Sequence, residues 1–256
     1  MLMNVMQMMM TTTNNFNAKP KFFGRRKGRV IHKAKSFLLD QFLPRILLND
    51  TPKENIADCF NESKKRYCLE IGFGDGDHLA ALAKRQPDTG FIGVEVYRNG
   101  VAQLLSLLTG LKDGNAEDLA QEIGLAEGRT DNVRVFDDDV RLLFAALPDA
   151  AFDKIYLLFP DPWPKSRHAE RRFINADNLR EMARLLKKGG ILQVATDHPI
   201  YKRWTLEQMR TNPDFKWTAK CSDDWRNPPA DWAETKYQRK AVREGRRPVF
   251  FEFERL

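Results

Sequence analysis

Asp161 stands between two prolines in the stretch Phe159-Pro160-Asp161-Pro162-Trp163-Pro164-Lys165. The two rings restrict the backbone on either side, so the carboxylate is held with little freedom. Trp163 beside it can stack on a flat ring or fill the core. Lys165, Arg167, His168, Arg171 and Arg172 follow at once. A basic run beside a rigid acid suits a nucleic-acid base whose phosphates are held nearby. A solvated helix start is the plainer alternative for the same run.

A second cluster lies upstream. Glu70-Ile71-Gly72-Phe73-Gly74-Asp75-Gly76 follows an apolar run and precedes a helical one. Such glycines let backbone turn tightly and approach a ligand, and the helix start behind them offers free N–H groups. Dinucleotide enzymes share this weak signal. Glu70 tips the balance, because it would repel a pyrophosphate and suits a cofactor with a cationic amino group. S-adenosylmethionine is such a cofactor. Glu95 closes the second predicted strand, where a carboxylate can accept from both ribose hydroxyls. Asp137-Asp138-Asp139 follows the third. Asp139 stands where an adenine amino group would be met, and Asp137 or Asp138 can equally serve as a helix N-cap. Asp197, after the fifth strand, can face the same crevice or cap a helix.

These residues are ordered by an alternation of elements. Predicted strands are Arg66–Ile71, Gly90–Val96, Asn132–Phe136, Asp153–Phe159 and Ile191–Thr196. Predicted helices cover Ser36–Leu43, His78–Arg85, Asn99–Leu108, Val140–Ala146, Phe173–Leu186 and Tyr201–Arg210, with Gly189-Gly190 as the C-cap of the fifth. Asp113–Arg129 is polar with one short helical piece. Apolar strands alternating with helices predict an α/β fold of Rossmann-like type: a mostly parallel, doubly wound sheet with helices on both faces. Carboxyl ends of such strands line the ligand crevice.

The 256 residues are 42% apolar, with net charge +7 and pI about 9.3. That excess favours a polyanionic partner. Cys59, Cys68 and Cys221 show no metal or disulfide spacing, Cys68 reads as a small buried hydrophobe, and a reducing, cytoplasmic setting fits. The four histidines do not converge on a triad or a metal set, so no metal is expected. No apolar run reaches membrane-helix length, so no membrane partner is expected. Residues 1–20 read as a disordered leader, 21–35 as a basic arm that tracks phosphates, and 36–256 as one catalytic domain.

The sequence resembles the bacterial tRNA (guanine-N7-)-methyltransferase family. Glu70-Ile71-Gly72-Phe73-Gly74, Gly93-Val94-Glu95-Val96, Phe159 to Lys165, Arg167-His168, Arg171-Arg172, Ala195-Thr196-Asp197 and Thr235-Lys236-Tyr237 carry the likeness. It implies a Rossmann-like methyltransferase using S-adenosylmethionine on a tRNA variable-loop guanine. It also implies Glu70, Glu95, Asp139 and Asp161 on the cofactor side, beside Gly72 and Gly74. Asp161 would be the catalytic acid. Lys165, Asp197, Thr235, Lys236, Tyr237 and Gln238 would bind substrate. The last motif usually ends in Glu, and Gln238 departs from it. The rival readings are an RNA-binding module with a vestigial pocket and a dinucleotide-dependent oxidoreductase.

Overall fold

The computed structural model describes residues 22–111 and 131–256. Helices α1 (Lys33–Gln41) and α2 (Leu43–Ile46) precede the first strand, β1 (Arg66–Ile71). Then follow α3 (Asp77–Arg85), β2 (Thr89–Val94), α4 (Arg98–Thr109), β3 (Val133–Phe136), α5 (Val140–Leu143) and β4 (Phe152–Leu158). The chain continues through α6 (Ala176–Leu185), β5 (Leu186–Thr196), α7 (Pro199–Arg210) and β6 (Phe215–Trp217). It ends with α8 (Asp223–Arg226), α9 (Lys236–Arg243) and β7 (Val249–Arg255).

The sheet runs β3-β2-β1-β4-β5-β7-β6. β1 to β5 are parallel, and β7 enters antiparallel between β5 and β6. β2 is buried along its whole length, as a strand covered on both faces must be. Side-chain alternation splits the interior in two. Leu69, Ile92, Ile155 and Leu192 face one way, towards Leu179 and Met182 of α6 and Tyr201 of α7. Cys68, Phe91 and Tyr156 face the other, towards Leu38, Leu79 and Leu104 of α1, α3 and α4. Fully burying a side chain such as Leu79 or Leu104 contributes about 1.5–3 kcal/mol relative to exposing it. Burial in this interior pushes the Cys68 thiol up to about 12, so it packs as an inert hydrophobe.

The doubly wound sheet matches the expectation, with three differences. Asn175 caps α6 by accepting from the Asn178 N–H at 3.0 Å, so that helix begins later than its apolar pattern. Gly189-Gly190 does not cap it. Leu186 already pairs with Phe152, and the glycines lie inside β5 at an irregularity of the ladder, with Gly189 at φ +77°. The antiparallel pair β6–β7 was not expected at all. The polar segment Asp113–Arg129 lies outside the described residues.

The basic arm is docked rather than loose from Phe22 onward. Asn99, on the first turn of α4, accepts from the Gly28 N–H at 3.0 Å and donates to the Arg29 carbonyl at 2.8 Å. The Arg98 N–H donates to the Arg26 carbonyl at 3.1 Å, and the Arg26 guanidinium lies 2.8 Å from Asp138. Among the described residues no helix is long and apolar enough to cross a membrane.

Candidate functional site

Strand order reverses between β1 and β4, and a crevice opens outside their carboxyl ends. It has a volume of about 760 Å³. Gly72, Gly74, Glu95, Asp139 and Asp161 all line it, so four strand ends converge there as the sequence required.

Glu95 is the pin of the floor. It follows β2 directly and is 9% exposed. Oε2 accepts from the Gly74 N–H at 2.7 Å and Oε1 from the Tyr97 N–H at 2.8 Å. One carboxylate therefore fixes the glycine-rich loop and the approach to α4, and each oxygen keeps acceptor capacity for a ligand. Burial pushes its pKa above the usual 4.5, and the nearby Asp161 charge adds to that; the backbone N–H bonds hold it back. The loop rests closely on α4. A Cβ on Gly100 would lie 2.2 Å from the Gly74 carbonyl oxygen. A Cβ on Gly72 would meet nothing, so its open side is free for a ligand.

Glu70 does not line the crevice. Its side chain is turned into the interior, where Oε2 lies 2.8 Å from His78 Nδ1. Both residues are nearly inaccessible. The His78 ring is packed between Tyr156 and Trp232, at 4.9 and 5.0 Å. Glu70 reaches a narrow recess beside the crevice, together with Gly72, Asp75, Thr235 and Tyr237.

At the third strand end it is Asp139, not Asp137 or Asp138, that caps the following helix, accepting from the Arg141 N–H at 3.0 Å. Its carboxylate also meets the Arg141 guanidinium, 2.6 Å from Nη2. The sequence left cap and ligand contact as alternatives; here one residue caps and faces the crevice.

The Phe159–Lys165 loop is more constrained than its prolines alone imply. Phe159 and Trp163 adopt left-handed backbone, φ +50° and +40°, on either side of Pro160-Asp161-Pro162. Non-glycine residues in this region cost about 1–3 kcal/mol each and persist where the surroundings dictate them. Here they do. The Phe159 N–H donates to the Ala195 carbonyl at 2.7 Å. Arg172 is buried, donates to the Pro162 and Trp163 carbonyls, and stacks on Trp204 at 4.6 Å. So Arg172, read from sequence as part of a phosphate-facing run, is a strut under the loop. Trp163 is not core. It is half-buried at the crevice wall, where the Arg171 guanidinium packs against both its ring and that of Phe23, at 5.1 and 4.7 Å.

The substrate-side residues divide. Lys236 and Tyr237 line the crevice: Lys236 reaches Asp75 at 2.5 Å, and Tyr237 lies parallel to Phe159 at 6.5 Å. Thr235 is buried as the N-cap of α9, accepting from the Gln238 N–H. Gln238 accepts from Trp232 instead of facing the crevice. Lys165 is exposed outside the crevice. Asp197 lies 2.7 Å from Arg246 and also outside it. The sequence reading missed Phe22, Phe23 and Arg25, which wall the crevice from the arm, and Tyr97 and Asn178. Only the closeness of Tyr97 and Asn99 to Glu95 in sequence could have hinted at any of them.

A protein-family model described as "Putative methyltransferase" matches residues 64–250. A tRNA (guanine-N(7)-)-methyltransferase of Paramagnetospirillum magneticum is 42% identical over 240 residues, covering 93% of each chain. One of Rhodospirillum rubrum is 41% identical, covering 92% of this chain and 88% of that protein. One of Azorhizobium caulinodans is 40% identical, covering 96% of this chain and all of that protein (100%).

Proposed function

The chain belongs to the tRNA (guanine-N(7)-)-methyltransferase family, and from that premise we propose which of its residues carry the reaction. It is an S-adenosylmethionine-dependent enzyme that methylates N7 of a guanine in tRNA. The dinucleotide and non-catalytic readings fall away.

The crevice fits the cofactor. Its size suits a nucleoside, Gly72 leaves a face open, and Glu95 keeps lone pairs for two ribose hydroxyls. Glu70 would take the amino group through its recess, Gly74 would let the loop approach, and Asp139 would meet the adenine edge. When bound, the cofactor supplies an electrophilic methyl group on a sulfonium.

Guanine N7 carries an available lone pair, so no proton has to leave before methyl transfer. Positioning supplies most of the rate. Asp161 is the group to do it. Its carboxylate lines the crevice on a loop fixed by two prolines, two left-handed residues and the Arg172 strut. It accepts hydrogen bonds from the guanine N1–H and N2–H groups and offsets the charge that develops on the ring. That convergence of a rigid acid with the cofactor floor carries the reading. Tyr237 and Lys236 close the same side, and Lys165 meets backbone phosphate. Asp197 reaches substrate only by giving up Arg246, and Thr235 and Gln238 act by holding α9.

Within this reading the target is a variable-loop guanine, the setting is the cytoplasm, and residues 36–256 are the methyltransferase domain with the arm as its flank. Asp161→Ala is expected to lower tRNA methylation about a hundredfold, the scale of a misplaced reactant. It should leave cofactor affinity within about threefold. Nucleoside analysis for 7-methylguanosine reads the first and calorimetry the second. A wild-type rate in the variant would sink the assignment.

A further inference from the structure

Gln238 sits on the first turn of α9, beside the two residues of that helix that line the crevice. Its own side chain points elsewhere. Oε1 accepts from Trp232 Nε1 at 2.5 Å. Trp232 is half-buried and held by three contacts. Its ring packs on Phe250 at 4.8 Å and His78 at 5.0 Å, and its carbonyl accepts from Arg85 at 3.2 Å. The indole N–H is a donor only and needs one acceptor. On the other side of Gln238, Tyr237 lies over the glycine-rich loop, where a Cβ on Gly74 would be 3.0 Å from its ring. The Trp232–Gln238 bond therefore joins a fixed aromatic anchor to the helix start that covers the cofactor floor.

We propose that Gln238 is a positioning residue, which sets Lys236 and Tyr237 over the crevice through Trp232 and does not itself bind substrate. The proposal rests on the crevice being the methyl-transfer site. It also accounts for the amide. A neutral oxygen satisfies an indole N–H, so the carboxylate usual at this place in the motif is not required for this contact.

The test is a double-mutant cycle in the full chain, reading kcat and KM for methylation of bulk tRNA together with urea unfolding. Gln238→Leu leaves the indole N–H without an acceptor and is expected to lower kcat/KM about tenfold. Trp232→Phe keeps a ring against Phe250 and removes the donor. The double variant is expected to recover to within about threefold of Trp232→Phe alone, because the two changes share one bond. Gln238→Glu, which restores an acceptor, is expected to keep most of the activity. Losses that multiply in the double variant would overturn the proposal, since Gln238 would then act on substrate directly. So would a Gln238→Glu variant as impaired as Gln238→Leu. Failure of the unaltered chain to form 7-methylguanosine would overturn the reading of the crevice instead, and the coupling between positions 232 and 238 would still be measured in the unfolding free energies.

Discussion

The buried Glu70 carboxylate is paired with His78 Nδ1 at 2.8 Å, directly behind the loop that receives the cofactor. With the carboxylate ionised, Glu70 only accepts and Nδ1 of His78 is the donor of this bond. The pair links the end of β1 to the first turn of α3. Removing one member of such a buried pair strands the other.

His78→Leu is therefore expected to destabilise the fold by about 3 kcal/mol, the lower end for breaking a buried pair. The urea midpoint should fall while the slope stays constant. Glu70→Gln should cost less, because an amide oxygen still accepts from His78. A His78→Leu protein as stable as wild type would show that Glu70 is satisfied by another partner.

Glu95 has a pKa raised by burial, and it must be ionised to accept from two hydroxyls. The sign follows directly. Cofactor binding is intact well above the raised value and is lost as pH falls through it, starting above the ordinary 4.5. For folding alone the linkage runs the other way: the contribution of the protonated form is present below the unfolded value and is lost as pH rises through the folded one. Calorimetric titration with S-adenosylmethionine across the acidic range should show this weakening in wild type. Glu95→Gln should bind more weakly throughout and lose that pH dependence.

Arg172 donates to two carbonyls of the Asp161 loop and stacks on Trp204. Arg172→Ala is expected to cost about 1–3 kcal/mol of stability, because those carbonyls lose their partner. It should also lower kcat more than it raises KM. Arg172→Lys should not rescue it, since an ammonium cannot reproduce the fork or the stacking. Rescue by Lys would show that charge alone matters there.

Truncation through Asn99's partners Gly28 and Arg29, removing residues 1–29, tests the arm. From sequence the arm reads as an RNA-binding appendage with no bearing on the cofactor. Phe22, Phe23 and Arg25 instead wall the crevice. The truncated chain is expected to lose about tenfold in cofactor affinity as well as tRNA affinity, with a shallower salt dependence for the RNA. Unchanged cofactor affinity would return the arm to its simpler role.

Much of the site was readable because it lies at strand ends that local pattern identifies. Apolar runs with turn residues behind them mark β1, β2 and β4, and the acids after β2 and β4, Glu95 and Asp161, line the crevice, whereas Glu70 at the end of β1 turns into the interior. What was not readable depends on contacts between distant segments. β7 alternates Phe250, Phe251, Glu252 and Phe253 too weakly to announce an antiparallel insertion beside β5. Gly189-Gly190 looks like a helix cap because nothing local reveals that Leu186 pairs with Phe152. Arg171 and Arg172 are adjacent and chemically identical in the sequence. Only packing separates the one that packs against Phe23 and Trp163 from the one buried under the loop.

Gly100 carries no chemistry, yet the Gly74 carbonyl occupies the space its side chain would need. The glycine-rich loop and the second crossover helix are thus one mechanical part, meshed without clearance. A single methyl group at position 100 would act as a wedge from behind, lifting the floor against Tyr237 on its other side. A survey of inactivating substitutions should therefore return this residue beside the acids, marking a tolerance of fit rather than a reacting group.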